Sequence, residues 1–145
     1  MPPQRTVRSG ALRSAIGALA VAATALLQAQ CPNDNTLTGT AVTVTCPTTV
    51  NVPCVQGGQY VLVNVVAGNI YTFSTCGGSS FDTEMTVFDN AGGPFLAYND
   101  DACGLQSSIQ FTATFTGQVR VLIDQFPCTS NTTCIPLSVS CASPP

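Results

Sequence analysis

Charge is scarce in this sequence, and positive charge nearly absent. The 145 residues include no Lys, no His and no Trp, only four Arg and a single Glu, and charged residues make up 8 % of the chain, against about 25 % in an ordinary soluble domain. Without His there is no Ser–His–Asp or Cys–His nucleophile and no His-ligated metal or haem. One Glu, Glu84, leaves little for a hydrolase built on paired carboxylates. The chain is therefore expected not to be an enzyme.

Long apolar runs are also missing, with one exception near the start. Residues 15–27 are apolar and follow Arg5, Arg8 and Arg13. A membrane span needs about 20 apolar residues; this run is shorter and fits the h-region of a secretory signal. Ala29 supplies a small residue for cleavage, so residues 1–29 are expected to be a signal peptide. Cys31 lies just beyond, but Gln30 stands where lipidation would want a small residue. A secreted, extracellular protein with no stable membrane anchor is expected.

Beyond residue 29 the only base is Arg120, against Asp34, Asp82, Glu84, Asp89, Asp100, Asp101 and Asp124. Such a chain repels phosphate backbones and anionic membranes, which excludes nucleic acid as a partner.

Cysteine, in contrast, is plentiful. Cys31, Cys46, Cys54, Cys76, Cys103, Cys128, Cys134 and Cys141 all follow the signal. An even number in an exported chain implies a disulfide framework, and no C-x2-C pair argues for zinc. Proximity in sequence suggests Cys46–Cys54, Cys128–Cys134, Cys76–Cys103 and Cys31–Cys141, among the 105 connectivities that eight Cys allow.

Helical periodicity is absent from this part of the chain. Short β-branched and aromatic runs alternate between Gly, Asn and Pro punctuation instead. Residues 40–45, 60–66, 70–75, 84–89, 95–98, 108–115, 118–124 and 135–140 read as strands, with 60–66 and 70–75 as a hairpin across Ala67, Gly68 and Asn69. About eight strands with regular turns predict an all-β fold, an antiparallel, jelly-roll-like β-sandwich stabilised by disulfides. Strict alternation predicts one buried and one wet face for each sheet.

Asp82, Asn99, Asp100 and Asp101 form the candidate metal site. Brought together by a Cys76–Cys103 bridge, their carboxylates would repel, and Ca2+ takes such oxygen ligands. The alternative is that they cap tight turns. Tyr60, Phe95 and Tyr98 are candidates for a sugar-stacking platform or for ordinary packing.

The same stretch carries a family resemblance. Gly68, Tyr71, Phe73, Cys76, Asp82, Thr83, Val87, Asp89, Asn99, Asp100, Asp101, Cys103, Ser108, Ile109 and Phe111 resemble, in order and spacing, the bacterial pre-peptidase C-terminal (PPC) family in a cysteine-bearing, secreted form. The likeness spans roughly residues 58–125. It implies a jelly-roll-like sandwich and a non-catalytic accessory module of exported proteins; some relatives bind collagen or calcium. The expected organisation is a signal peptide (1–29), an N-terminal strand and loop (30–57) and a PPC-like core (58–145). The expected function is adhesion to an extracellular polysaccharide or protein surface, with calcium as a stabilising ion. The alternative is self-assembly into a fibre or coat by strand addition, with residues 40–45 as the exchanging segment.

Overall fold

The computed structural model describes residues 30–145; the expected signal peptide lies outside the described residues. Ten strands follow in order: β1 (Thr36–Leu37), β2 (Val42–Thr43), β3 (Thr49–Val55), β4 (Gln59–Val65), β5 (Ile70–Ser74), β6 (Thr83–Asp89), β7 (Phe95–Asn99), β8 (Ser108–Thr112), β9 (Gly117–Gln125) and β10 (Ile135–Ala142). No helix occurs among the described residues.

The strands form two packed sheets, the expected all-β sandwich. The larger has the order β1-β4-β9-β6-β7, with β2 also pairing β4; the smaller has the order β3-β10-β5-β8. Pairing is antiparallel except for the two-residue strands β1 and β2, which run parallel to β4. Apolar residues alternate inward from both sheets. Val61, Val63 and Val65 of β4, Met85 and Val87 of β6, and Val119, Val121 and Ile123 of β9 meet Tyr71 and Phe73 of β5, Ile109 and Phe111 of β8, and Leu137 and Val139 of β10. Tyr71 uses its hydroxyl to accept the Val66 N–H at 3.0 Å, which lets a phenol sit in the core with its polar end satisfied.

Three local expectations are corrected. Residues 60–66 and 70–75 are not a hairpin, because β4 pairs with β9 in one sheet and β5 pairs with β10 and β8 in the other. Their apolar faces oppose each other across the core, which buries both; side-by-side pairing would have covered neither. Residues 49–55, expected as loop, form β3, an edge strand. An edge position tolerates Pro53, whose missing N–H faces no partner. Finally, the outer face of the larger sheet is not uniformly wet. Glu84, Thr86, Phe88, Leu122 and Asp124 point away from the core and are nevertheless buried.

All eight cysteines are bridged, as Cys31–Cys128, Cys46–Cys141, Cys54–Cys134 and Cys76–Cys103. Only Cys76–Cys103 follows sequence proximity. Between Cys46 and Cys54 the chain runs extended along β3, and about 3.3 Å per residue soon exceeds the ~7 Å limit between bridged Cα atoms. Register explains the observed partners instead. The β3–β10 ladder runs from Val55 opposite Ile135 to Thr49 opposite Ser140, so Cys54 and Cys134 meet at one end of it, 4.7 Å apart between Cα atoms, and Cys46 and Cys141 meet at the other, 4.8 Å apart. Cys128 and Cys134 are carried apart by residues 129–133, whose Asn131 N–H bonds the Gly57 carbonyl. Cys128 bridges instead to Cys31 and fastens the N-terminal segment to the end of the larger sheet.

Candidate functional site

One end of the sandwich collects most of the charge. The start of β6, the end of β7 and the loop before β8 converge there on a buried hydroxyl cluster. Thr75 Oγ1 lies 2.8 Å from Thr83 Oγ1, and the Ser107 N–H donates to both hydroxyls at 3.1 and 3.0 Å. The Ser107 hydroxyl lies within reach of two carbonyls, that of Asp100 at 2.8 Å and that of Thr83. All three hydroxyl residues are fully buried. Such side chains persist in a core only when every polar group has a partner; here they lock three loops to one another. The Cys76–Cys103 bridge closes the same loops from outside.

That clamp holds Asp82, Asp100 and Asp101 together, one carboxylate oxygen from each lying within 4.8 Å of the others. Oδ1 of Asp82 and Oδ1 of Asp100 are shielded from solvent and accept no hydrogen bond. Partial burial first, and the neighbouring carboxylates second, push Asp100 up to about 6, with Asp101 the largest of those neighbours. Asp82 is raised for the same reasons, desolvation ahead of Asp101. Asn99, the fourth expected ligand, is placed differently. Its Oδ1 accepts the Ser108 N–H at 2.9 Å, so it caps the start of β8. Three converging carboxylates, two of them with a shielded and unpartnered oxygen, form a set suited to a hard, oxygen-seeking ion.

Glu84 was undervalued by sequence reasoning. It is 3 % exposed, on the outer face of β6, where the Cys31–Cys128 bridge covers it. It accepts the Cys128 N–H at 2.6 Å and the Tyr98 hydroxyl at 3.0 Å. Burial and this bond hold the Tyr98 phenol well above its usual range. Tyr98 is thus tied down, and Tyr60 lies beneath the Arg120 guanidinium, 5.1 Å from its ring centroid. Of the three aromatics considered for a sugar platform, Phe95 is the one still exposed, at 41 %. A lone Glu on a strand of alternating apolar residues was the available signal for a buried, partnered carboxylate.

Asp124, the neighbour of Glu84 across the β6–β9 pairing, is also buried. Desolvation raises it to about 6, partly offset by the amide of Asn35, which donates to Oδ2 at 3.1 Å. The same amide lies 3.2 Å from each of the Gln59 and Ile123 carbonyls. Asn35 thereby binds the N-terminal segment to the sheet.

Residues 48–143 match the family described as a domain of unknown function (DUF8695). The chain belongs to that family. Two solved structures are similar in fold. The periplasmic lysozyme inhibitor PliG of Aeromonas hydrophila, an inhibitor of g-type lysozyme, has a TM-score of 0.52 and 19 % identity over 74 % of this chain and 98 % of its own. The pre-peptidase C-terminal domain of collagenase from Bacillus anthracis has a TM-score of 0.48 and 14 % identity over 74 % and 95 %. No curated protein sequence matches the chain. At 19 % identity the likeness to the inhibitor is one of fold alone.

Proposed function

We propose that this DUF8695 member is an exported, non-catalytic β-sandwich module of the PPC kind that attaches to an extracellular polymer or protein, with a calcium ion organising its acidic end. The observation that carries the ion is the pair of shielded, unpartnered oxygens on Asp82 and Asp100. A turn-capping role would have given those atoms backbone N–H partners. Ca2+ would instead take oxygens from Asp82, Asp100 and Asp101, with carbonyls and waters completing its ~6–8 ligands. The carboxylate set supplies no base with a proton-transfer partner, and the chain has no His to provide one.

Export is supported by four disulfides and the n-region and h-region pattern of residues 1–29. The A. hydrophila inhibitor is an instance of a similar fold in a periplasmic lysozyme inhibitor; the reading for this chain stands on its own residues.

Thermal melting with about 10 mM Ca2+ and with chelator tests the ion. Extracellular calcium modules bind at roughly 10⁻⁴–10⁻³ M, so linkage gives about 1.5–2.7 kcal/mol of added stability and a melting point higher by several degrees. Asp82→Asn should remove most of that gain. A wild-type melting curve indifferent to Ca2+ would return the cluster to the turn-capping role. Attachment is tested by retention of the oxidised protein on polysaccharide particles and on collagen; passage through all of them unretained defeats it.

A further inference from the structure

The two outer faces of the sandwich treat their polar side chains in opposite ways. On the larger sheet they bond to one another. Asn64 Nδ2 donates to Thr43 Oγ1 at 2.7 Å, Gln118 Nε2 to Asn64 Oδ1 at 3.0 Å, Asn90 Nδ2 to Gln118 Oε1 at 3.1 Å, and Arg120 Nε to Asn90 Oδ1 at 2.7 Å. The Arg120 guanidinium reaches Asn33 of the N-terminal segment, which lies over this side and is stapled there by Cys31–Cys128. Apart from the buried Thr86 hydroxyl, which has no partner, these polar groups bond within the face, and the face is partly covered.

The outer face of the smaller sheet differs on both counts. Strand register builds two rows straight across it. Asn51, Ser138, Ser74 and Ser108 stand side by side on β3, β10, β5 and β8. Two residues along, Thr49, Ser140, Thr72 and Gln110 do the same. Neighbours within a row are about 4.8 Å apart and the rows about 6.7 Å apart, as pleated-sheet geometry requires. Among these eight side chains only Ser74 is engaged with the protein, its hydroxyl accepting the Cys76 N–H at 3.2 Å. None is charged, and every acid of the described chain lies on the other sheet, in the loops that join the two sheets or in the N-terminal segment.

A groove continues the first row. Pro53, Pro136 and the Cys76–Gly77–Gly78 turn wall a cavity of about 490 Å³ whose floor includes Asn51, Ser138 and Ser74. Gly78 lies so close to Pro136 that a Cβ there would stand 2.5 Å from the Pro136 Cγ. Glycine is what allows the turn to close down on the proline.

We propose that this face is the docking surface for a neutral polysaccharide, an inference that rests on the attachment function above and names its target. Each hydroxyl or amide can donate and accept, which matches a polymer whose own hydroxyls do both. A charged polymer finds no counter-charge there, and an apolar partner finds few apolar side chains. The register presents the groups as an ordered lattice, while Pro53 and Pro136 supply the apolar contact that sugar C–H faces use. Ordinary solvent exposure explains free hydroxyls singly. It does not explain why one face spends its polar groups on itself while the other presents them in register beside a proline-lined groove.

The test uses the oxidised protein and two probes, microcrystalline cellulose and chitin particles, with collagen-coated beads alongside. Thr72→Glu and Ser140→Arg each place a charge in the middle of the lattice, at positions where the side chain points to solvent. Either is expected to lower retention on the retaining polysaccharide at least tenfold, with an unchanged melting temperature. Asn90→Ala on the opposite sheet should leave retention as it was. Wild-type retention that survives both lattice variants overturns the inference while leaving attachment standing. Retention on collagen alone overturns it in favour of a protein target, and depression of ice growth without polysaccharide retention overturns it in favour of ice. Retention on no surface removes both this inference and the attachment function.

Discussion

Asp124 makes the stability of this protein fall as pH rises. The residue is 4 % exposed, and its carboxyl feels Glu84 and Asp34, neither of which favours a second negative charge. Burial ranks first among the causes that raise it from 3.8 to about 6. The protonated form is therefore the one the fold prefers. In linkage terms the native state binds more protons than the unfolded state between these two values, so its contribution is intact below about pH 4 and is lost as pH climbs through 6. The full shift corresponds to a ceiling of about 3 kcal/mol. Solvent at the rim screens part of this, which leaves about 1–2 kcal/mol. Asp124→Asn removes the ionisation and keeps an oxygen for Asn35 Nδ2. Part of its gain is offset by the Gly58 N–H, which favours a carboxylate over an amide. A net gain of about 1 kcal/mol at pH 7 remains, or roughly 5 °C in melting temperature for a domain of this size. The assay is calorimetry of wild type and variant from pH 3.5 to 8. The wild-type melting point should decline between pH 4 and 6, and the variant's should decline less. Equal slopes over that window would refute the reasoning, because they would mean that Asp124 ionises in the fold as easily as in the unfolded chain.

Two further perturbations probe the supports of the acidic end. Replacing Cys31 and Cys128 together by Ser opens a link of sequence separation 97; about 3 kcal/mol of stability should be lost, with the remaining three bridges keeping the sandwich and hydrogen exchange rising in residues 30–35. Unaltered exchange there would mean that Asn35 alone holds the segment. Ser107→Ala removes the hydroxyl that reaches the Asp100 and Thr83 carbonyls. It should cost about 1–3 kcal/mol and shrink the calcium-induced rise in melting temperature, whereas an undiminished rise would show that the clamp does not position the carboxylates.

Alternation in the sequence was enough to recover the sandwich. Val61, Val63 and Val65, or Ile109 and Phe111, point one way because side chains on a strand have a period of two, and nothing in the tertiary structure overrides that. Alternation does not report which sheet a strand joins. The short turn at Ala67–Asn69 suits a hairpin and a change of sheet equally well, and burial decided for the second. Nor does it report what lies over an outer face. Phe88 and Leu122 occupy positions expected to be wet, and they are buried because tertiary structure covers part of that face.

The acidic cluster was half legible. Asp82, Asp100 and Asp101 converge as expected, since the Cys76–Cys103 link joins loops only 27 residues apart. Asn99 turns its Oδ1 to the Ser108 N–H at the start of β8. The other three bridges were beyond sequence reading, for a reason that bears on function. Each joins cysteines at least 80 residues apart, and each partner is fixed by strand register or by the path of the N-terminal segment. The same register that sets Cys54 beside Cys134 also sets Asn51, Ser138, Ser74 and Ser108 in one row. A slip of one residue in β10 would turn its serines to the core and Val139 to solvent, so the disulfides that hold β3 to β10 also hold the lattice in alignment. Reduction of Cys54–Cys134 should therefore weaken polysaccharide retention even at temperatures where the sandwich stays folded. Retention that persists in the reduced, folded protein would show that hydrogen bonding alone keeps the rows aligned.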